Sequence, residues 1–73
     1  MMPLAMIGVG EKARVTGVTG SDAVRKHLSS LGFVPGAVVV VVNISGGSMI
    51  LGIHDSRIAI NEDLSRRVMV SAA

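Results

Sequence analysis

The sequence of 73 residues has no cysteine, tryptophan or tyrosine, and Phe33 is its single aromatic residue. Without cysteine, neither a disulfide framework nor a thiolate metal site can stabilise so short a chain. Hydrophobic residues nevertheless make up 49% of the sequence, so the core must be aliphatic. A chain of this length has room for one domain, residues 1–73, and none for a deep catalytic cleft.

Charged residues are also scarce, at 16% of the sequence, and they are scattered. Seven Lys and Arg against five Asp and Glu give a formal charge of +2. Nucleic-acid-binding domains usually cluster their basic residues on one face, and single-strand binders add stacking aromatics. This composition argues against a nucleic-acid partner, and a small RNA-binding barrel is the weaker alternative.

The sequence has no long apolar run. The longest uninterrupted stretch, Ala37–Val42, is far shorter than the roughly 20 residues that cross a bilayer. The apolar start, Met1–Val9, lacks the basic residues and the small-residue cleavage site of a signal peptide. Together with the absence of cysteine, these features predict a cytoplasmic protein with no direct membrane insertion.

The elements that are present alternate with Gly, Pro and Ser turns. Glu11–Val18 alternates apolar and polar residues, which is typical of a half-buried strand. Ser21 or Asp22 can cap a short helix that follows it. Four further strands are predicted at Val38–Ile44, Met49–His54, Arg57–Ile60 and Val68–Val70. A capped helical turn is predicted at Asn61–Leu64, before the last strand. About five strands in so short a chain indicate a small, mainly β barrel.

The end of the helix carries the clearest local signals. Leu28 and Leu31 lie on its apolar face, Gly32 stands where a left-handed residue is favoured, and Phe33 is placed to fold back onto Leu28. The next four residues predict a type II turn, because a proline fixes φ at its second position and a glycine accepts positive φ at its third. These two turn residues are Pro35 and Gly36.

The predicted hairpins define two faces of the sheet. A two-residue Gly46-Gly47 turn places Ile44 opposite Met49, Val42 opposite Leu51 and Val40 opposite Ile53. A two-residue Asp55-Ser56 turn then places Ile53 opposite Ile58 and Leu51 opposite Ile60. These residues are expected to form the core, which leaves a shallow, largely apolar groove on the opposite face. The groove residues that we expect to bind a partner are Val39, Val41, Gly52, His54, Arg57 and Ala59.

Contiguous exposed apolar surface usually marks a contact site. The alternative is that the segment Pro3–Val9, or the helix, folds over this groove. Replacing Val41 with Asp, or Ala59 with Arg, is expected to weaken docking and to leave the fold intact. Arg25 and Lys26 are the next candidates for partner contacts, although solvated helix faces are the commoner place for such pairs.

No catalytic or metal-binding constellation is visible. Gly8–Lys12 lacks the spacing of a phosphate-binding loop, and no oriented base or close carboxylate pair is present. The two histidines, His27 and His54, lie on different elements, whereas metal sites need clustered ligands. The sequence therefore predicts no enzyme and no cofactor, and direct Fe²⁺ or Zn²⁺ binding by a histidine is the alternative.

The order of these features resembles the bacterial ferrous iron transport protein A (FeoA) family over essentially the full length of the chain. The most specific part is Leu28–Gly36, which looks like the helix end and turn of that family. Arg57–Ile60, followed by a helical turn and a short valine-containing strand, is also similar. One departure is Val9, where proline often precedes the Gly-Glu pair in the family.

The resemblance implies an SH3-like barrel of about five strands, with the helix between the first two strands and the helical turn before the last. It also implies a cytosolic accessory protein that docks on a GTPase-coupled ferrous iron permease (FeoB) and is peripheral to the inner membrane through that partner. The only residues of the family that the resemblance assigns to positions of this chain are structural: Gly32, Pro35 and Gly36.

Similar SH3-like modules form the C-terminus of iron-dependent transcriptional repressors, where they follow a helix-turn-helix and a dimerisation domain. Neither of those precedes the barrel here, which favours the stand-alone accessory protein over a regulatory or metal-binding module. Self-association through the apolar face is compatible with each of these functions.

Overall fold

Six antiparallel strands and two short α-helices make up the fold in a computed structural model that describes residues 1–73. The strands are β1 (Met2–Pro3), β2 (Lys12–Val18), β3 (Val38–Ser45), β4 (Ser48–Ile53), β5 (Ser56–Asn61) and β6 (Val68–Ala72). The helices are α1 (Asp22–Ser30) and α2 (Glu62–Arg67), and a 3₁₀ turn spans Leu4–Met6. The strands form one sheet in the order β1-β6-β2-β3-β4-β5.

The predicted mainly β fold is confirmed, with a helix after the first long strand and a helical turn before the last. Two features were not predicted. The N-terminus adds β1, which pairs with β6, and the hydrogen-bonded sheet stays open between β1 and β5. Helix α2 contacts β1, β5 and the 3₁₀ turn, so it packs across the opening.

The core is aliphatic apart from Phe33, as the composition requires. Its 14 buried residues come from strands β2 to β6, from α1, from the 3₁₀ turn and from the segment between α1 and β3: Leu4, Ala13, Val15, Leu28, Phe33, Ala37, Val39, Val41, Met49, Leu51, Ile53, Ile60, Val68 and Val70. Leu4 lies fully inside this core. The N-terminal segment therefore packs with the core instead of covering the predicted groove. Ser65 is the one buried polar residue, and its hydroxyl donates to the Glu62 carbonyl oxygen at 2.8 Å.

Helix α1 begins and ends as the sequence predicts. The Ser21 hydroxyl accepts from the Val24 N–H at its start. At its end, the Phe33 N–H donates to the Leu28 carbonyl oxygen (3.1 Å), and the N–H of Gly32, at φ 107°, donates to Ser29 (3.0 Å). These bonds form a Schellman motif, which brings Phe33 back over the helix and into the core.

The predicted type II turn is confirmed directly after this motif. The Ala37 N–H donates to the Val34 carbonyl oxygen at 3.0 Å, and Gly36 has φ 93°. The turn is held to the sheet on both sides, because the Gly36 N–H donates to the Val15 carbonyl oxygen and the Val15 N–H donates to the Ala37 carbonyl oxygen. Helix α1 is thus joined to β3 with little freedom.

Gly32→Ala is expected to lower the free energy of unfolding by about 1–2 kcal/mol, because a left-handed conformation is strained for any residue with a Cβ. The added Cβ would also lie 3.4 Å from Ile53 Cδ1 and 3.5 Å from His54 Cδ2. Gly17→Ala is the control: it has ordinary φ and no atom within 4 Å of the added Cβ. Urea unfolding of both variants measures the difference, and equal stabilities would contradict the role of Gly32.

A β-bulge at Val42 overturns the predicted register of β3. Ile44 does lie opposite Met49, as predicted, but Asn43 then pairs with Ile50 and Val41 with Leu51, so Val42 has no partner of its own. One extra residue in a strand exchanges the two faces for everything beyond it. Val39 and Val41 are consequently 0% and 1% exposed and lie in the core.

The second hairpin also turns one residue earlier than predicted. His54 and Asp55 form the turn, with His54 at φ 53°, and Ile53 pairs with Ser56. Ile58 therefore lies opposite Leu51 instead of Ile53. Each side chain of β4 and β5 still lies on the side of the sheet that was predicted, because the pairing moves by two residues and successive side chains alternate between the two sides.

Candidate functional site

The surface that the bulge turns outwards is here called the outer face. It is formed by alternate residues of β2 to β5: Lys12, Arg14, Val38, Val40, Val42, Ile50, Gly52, Arg57 and Ala59. Its central row crosses four strands, since Lys12 pairs with Val40, Val40 with Gly52 and Gly52 with Arg57. A positive side chain thus stands at each end of an apolar middle.

The middle of the outer face is shallow. Gly52 has no side chain, and a Cβ placed on it would meet only Val42 Cγ2 at 3.9 Å and the Val40 carbonyl oxygen at 4.0 Å. Val40, Val42 and Ile50 are partly exposed, and Val38 is 40% exposed. A strip of β-branched side chains around a glycine therefore meets solvent, which is the kind of surface that a partner would cover.

The charges around this strip are unpaired. The two ion pairs of the molecule join Arg25 to Asp22 on α1, and Arg66 to Glu62 on α2. Lys12, Arg14 and Arg57 have no carboxylate within salt-bridge distance, and Arg14 donates only to the Gly36 carbonyl oxygen, at 3.4 Å. The outer face therefore carries three positive side chains and no negative one.

The structure brings together only part of the predicted groove. Gly52 and Arg57 lie directly opposite each other, and Ala59 follows two residues along β5. Val39 and Val41 are buried in the core and cannot touch a partner of the folded domain. The outward residues of β3 that the prediction missed are Val38, Val40 and Val42. An unbroken run of five valines has no alternation that could indicate which of them face outwards.

The remaining predicted contact residues lie elsewhere. His54 stands in the turn after β4, not on the outer face, and its ring lies close to Gly32. Arg25 and Lys26 are exposed on α1, where Arg25 pairs with Asp22 and Lys26 is free. Lys26 thus provides a positive charge on a different element from the outer face.

A second concavity lies beside α2. This cavity of about 260 Å³ lies between the β3–β4 hairpin and α2, and Ile44, at its rim, is 47% exposed. It is lined by Ala5, Ile44, Gly47, Ser48, Met49, Glu62 and Ser65. No histidine lies in it, and its one carboxylate, that of Glu62, pairs with Arg66.

The histidines do not form part of a ligand cluster. No group of three or more His, Cys, Asp and Glu side chains lies together as a metal-holding set. His27 is exposed on α1 and His54 lies in the β4–β5 turn. Direct metal binding through either histidine stays the alternative to the prediction of no cofactor. No helix in the structure has the length and apolar character needed to cross a bilayer.

Comparison with known proteins gives one family. The model of the FeoA domain matches residues 2–72. A crystal structure of an iron uptake regulatory protein (FeoA) is similar at 37% identity and a TM-score of 0.87, covering 96% of this chain and 93% of that one. A search of curated protein sequences found no match.

Two further structures show how widely the fold occurs. FeoA from Stenotrophomonas maltophilia, complexed with zinc and described as a prokaryotic SH3 domain protein, has 27% identity and a TM-score of 0.85, with 97% of this chain and 91% of that one covered. IdeR from T. acidophilum has 16% identity and a TM-score of 0.88, and the match covers 99% of this chain but 34% of that one. The likeness to IdeR is therefore one of fold alone.

Proposed function

Because the chain belongs to the FeoA domain family, we propose that it is a small accessory protein of bacterial ferrous iron uptake that docks on the GTPase-coupled permease of the FeoB type. The observation that carries this proposal is the family match over residues 2–72. The S. maltophilia relative is described as a candidate activating factor of ferrous iron transport, which supports the same role. We propose no catalytic activity for the chain itself.

The outer face supports docking as the mode of action. It offers an apolar middle for burial and three cations without carboxylate partners, and neither feature is needed to complete the core. Positive charges at the rim of an apolar patch favour an acidic partner surface and speed its approach. We therefore place the docking surface here, at the cytoplasmic side of the permease.

The proposal is tested by binding to the permease's soluble nucleotide-binding domain, with and without GTP, and by ferrous uptake in a strain that lacks this protein. Wild-type protein is expected to bind that domain and to restore uptake. If it neither binds nor restores uptake, the proposed function is wrong.

Lys12→Glu is expected to weaken this binding about tenfold, because it reverses a charge at the end of the central row. Lys26→Glu is the matched control: it makes the same change in net charge, on α1. Calorimetry at low and moderate salt measures both affinities, and the difference between the variants is expected to shrink as salt rises. Equal weakening by the two variants would place the docking surface elsewhere.

Direct metal carriage is the second candidate, favoured by one observation outside this chain, the zinc complex of the S. maltophilia relative. The residues concerned here are His27 and His54. Titration with Fe²⁺ and with Zn²⁺ decides it, with a variant in which both histidines are replaced by Ala as control. Binding no tighter than that of the variant would end this alternative. The alternative of a repressor-type regulatory module rests only on the fold that the chain shares with a manganese-dependent transcriptional repressor.

A further inference from the structure

The two edges of the open sheet differ in how they are protected. β1 is two residues long and contains Pro3, and both features discourage the addition of another strand. β5 at the opposite edge has six residues, no proline and no lysine, and it pairs with β4 without a bulge. One edge is therefore blocked. The other is long and regular, and although α2 contacts β5, Arg57 and Ala59 on this edge are exposed.

The free edge presents unpaired backbone groups. The hairpin closes at Ile53 and Ser56, so hydrogen-bonded pairs alternate from there, and Arg57 and Ala59 form the pairs without mutual bonds. Their N–H and C=O groups must then point away from β4. No hydrogen bond outside the helices and strands uses a backbone group of β5. These groups are thus available to the backbone of another extended segment.

The same two residues connect the edge to the outer face. Arg57 ends the row that begins at Lys12, and Ala59 leaves space beside Ile50. A strand added to β5 would place its alternate side chains next to Arg57, which lacks a carboxylate partner. A second copy of this chain would instead bring two positive outer faces together, which is unfavourable. The occupant that fits is an acidic segment.

We propose that β5 binds an extended, acidic segment of a partner protein as an additional strand of the sheet. The backbone groups of Arg57 and Ala59 hold that segment, and Arg57 pairs with one of its carboxylates. Main-chain bonds supply affinity in this mode, and alternate side chains supply specificity. The inference rests on the proposed function in taking the chain to act by docking.

The test uses peptides, so that it does not depend on the permease. A phage library of random peptides of about twelve residues, enough to span a six-residue edge, is selected on the folded, full-length chain. The selected peptides are expected to alternate acidic and apolar residues. Amide hydrogen exchange on wild-type protein is then expected to show new protection at Arg57 and Ala59 when a peptide binds.

Ala59→Pro removes one outward N–H and no bond of the β4–β5 ladder, so it is expected to fold and to bind the peptides about tenfold more weakly. Ala59→Thr is the control, because it keeps the N–H, and its affinity is expected to stay within about twofold of wild type. Arg57→Glu is expected to weaken binding about tenfold, and Arg57→Lys about twofold.

Any of three results with peptides or with the chain alone would overturn the proposal: no enriched peptide, peptides that bind without protecting Arg57 and Ala59, or a concentration-dependent dimer that Ala59→Pro dissolves. The exchange measurement uses wild-type protein and decides the matter even if Ala59→Pro fails to fold. Peptide binding at β5 without binding to the permease domain would contradict the permease as partner and support β5 as a binding edge. Permease binding that Ala59→Pro leaves unchanged would support the permease as partner and contradict β5 as the edge that binds it.

Discussion

Val41→Asp is expected to abolish the cooperative unfolding transition, whereas Val40→Asp is expected to keep it. Val41 is 1% exposed and faces Leu51 inside the core. An isolated carboxylate there has no partner and costs several kcal/mol. A domain of 73 residues has a total stability of only about 4–11 kcal/mol. The adjacent Val40 points to the outer face, where the new carboxylate stays hydrated beside Lys12.

Circular dichroism and urea unfolding of these two variants measure the effect. The pair is matched in residue type, in strand and in the charge introduced, so that only the facing of the side chain differs. The Val40 variant is expected to lose no more than about 1 kcal/mol. If Val40→Asp unfolded the domain and Val41→Asp did not, the bulge at Val42 would be wrong and the faces of β3 would be those predicted from sequence.

Phe33→Ala is expected to lower the free energy of unfolding by about 3–5 kcal/mol, which is a large part of the stability of so small a domain. Phe33 is the largest fully buried side chain, and the chain has no other Phe, Tyr or Trp that could fill the cavity. Its backbone N–H also closes the motif that ends α1. Its loss therefore affects both the core and the connection from the helix to β3.

Val34→Ala is the control for this variant, because it removes methyl groups from the next residue, which is 40% exposed. It is expected to change stability by less than about 0.5 kcal/mol. Denaturant unfolding followed by circular dichroism gives both values. A loss of under about 1 kcal/mol in Phe33→Ala would show that the core does not depend on its one aromatic side chain.

The parts of the fold that the sequence predicts correctly are those with position-specific backbone chemistry. Gly32 and Gly36 take up positive φ, Pro35 fixes the turn between them, and Asn61 caps α2 with its side chain. Each of these residue types is favoured at a particular local position, glycine where φ is positive, proline where φ is fixed and asparagine at a helix start, so a local pattern is enough to place it.

The parts that could not be predicted depend on contacts between distant residues. The bulge at Val42 follows from how β3 fits β4 and the core, and nothing in a run of valines marks one of them as extra. Strand β1 forms only because Met2 and Pro3 meet β6, at the other end of the chain. The residues predicted to face outwards on β4 and β5, namely Gly52, Arg57 and Ala59, are consequently correct. Those predicted to face outwards on β3 are wrong.

The proposed role is tested most directly by titrating the isotope-labelled chain with the permease's soluble nucleotide-binding domain and following its amide NMR signals. The signals expected to move are those of Lys12, Val40, Gly52 and Arg57, which form the central row of the outer face. Signals of α1 and of the cavity beside α2 are expected to stay in place. No change at saturating concentration, or changes confined to α1 or to that cavity, would contradict docking through the outer face.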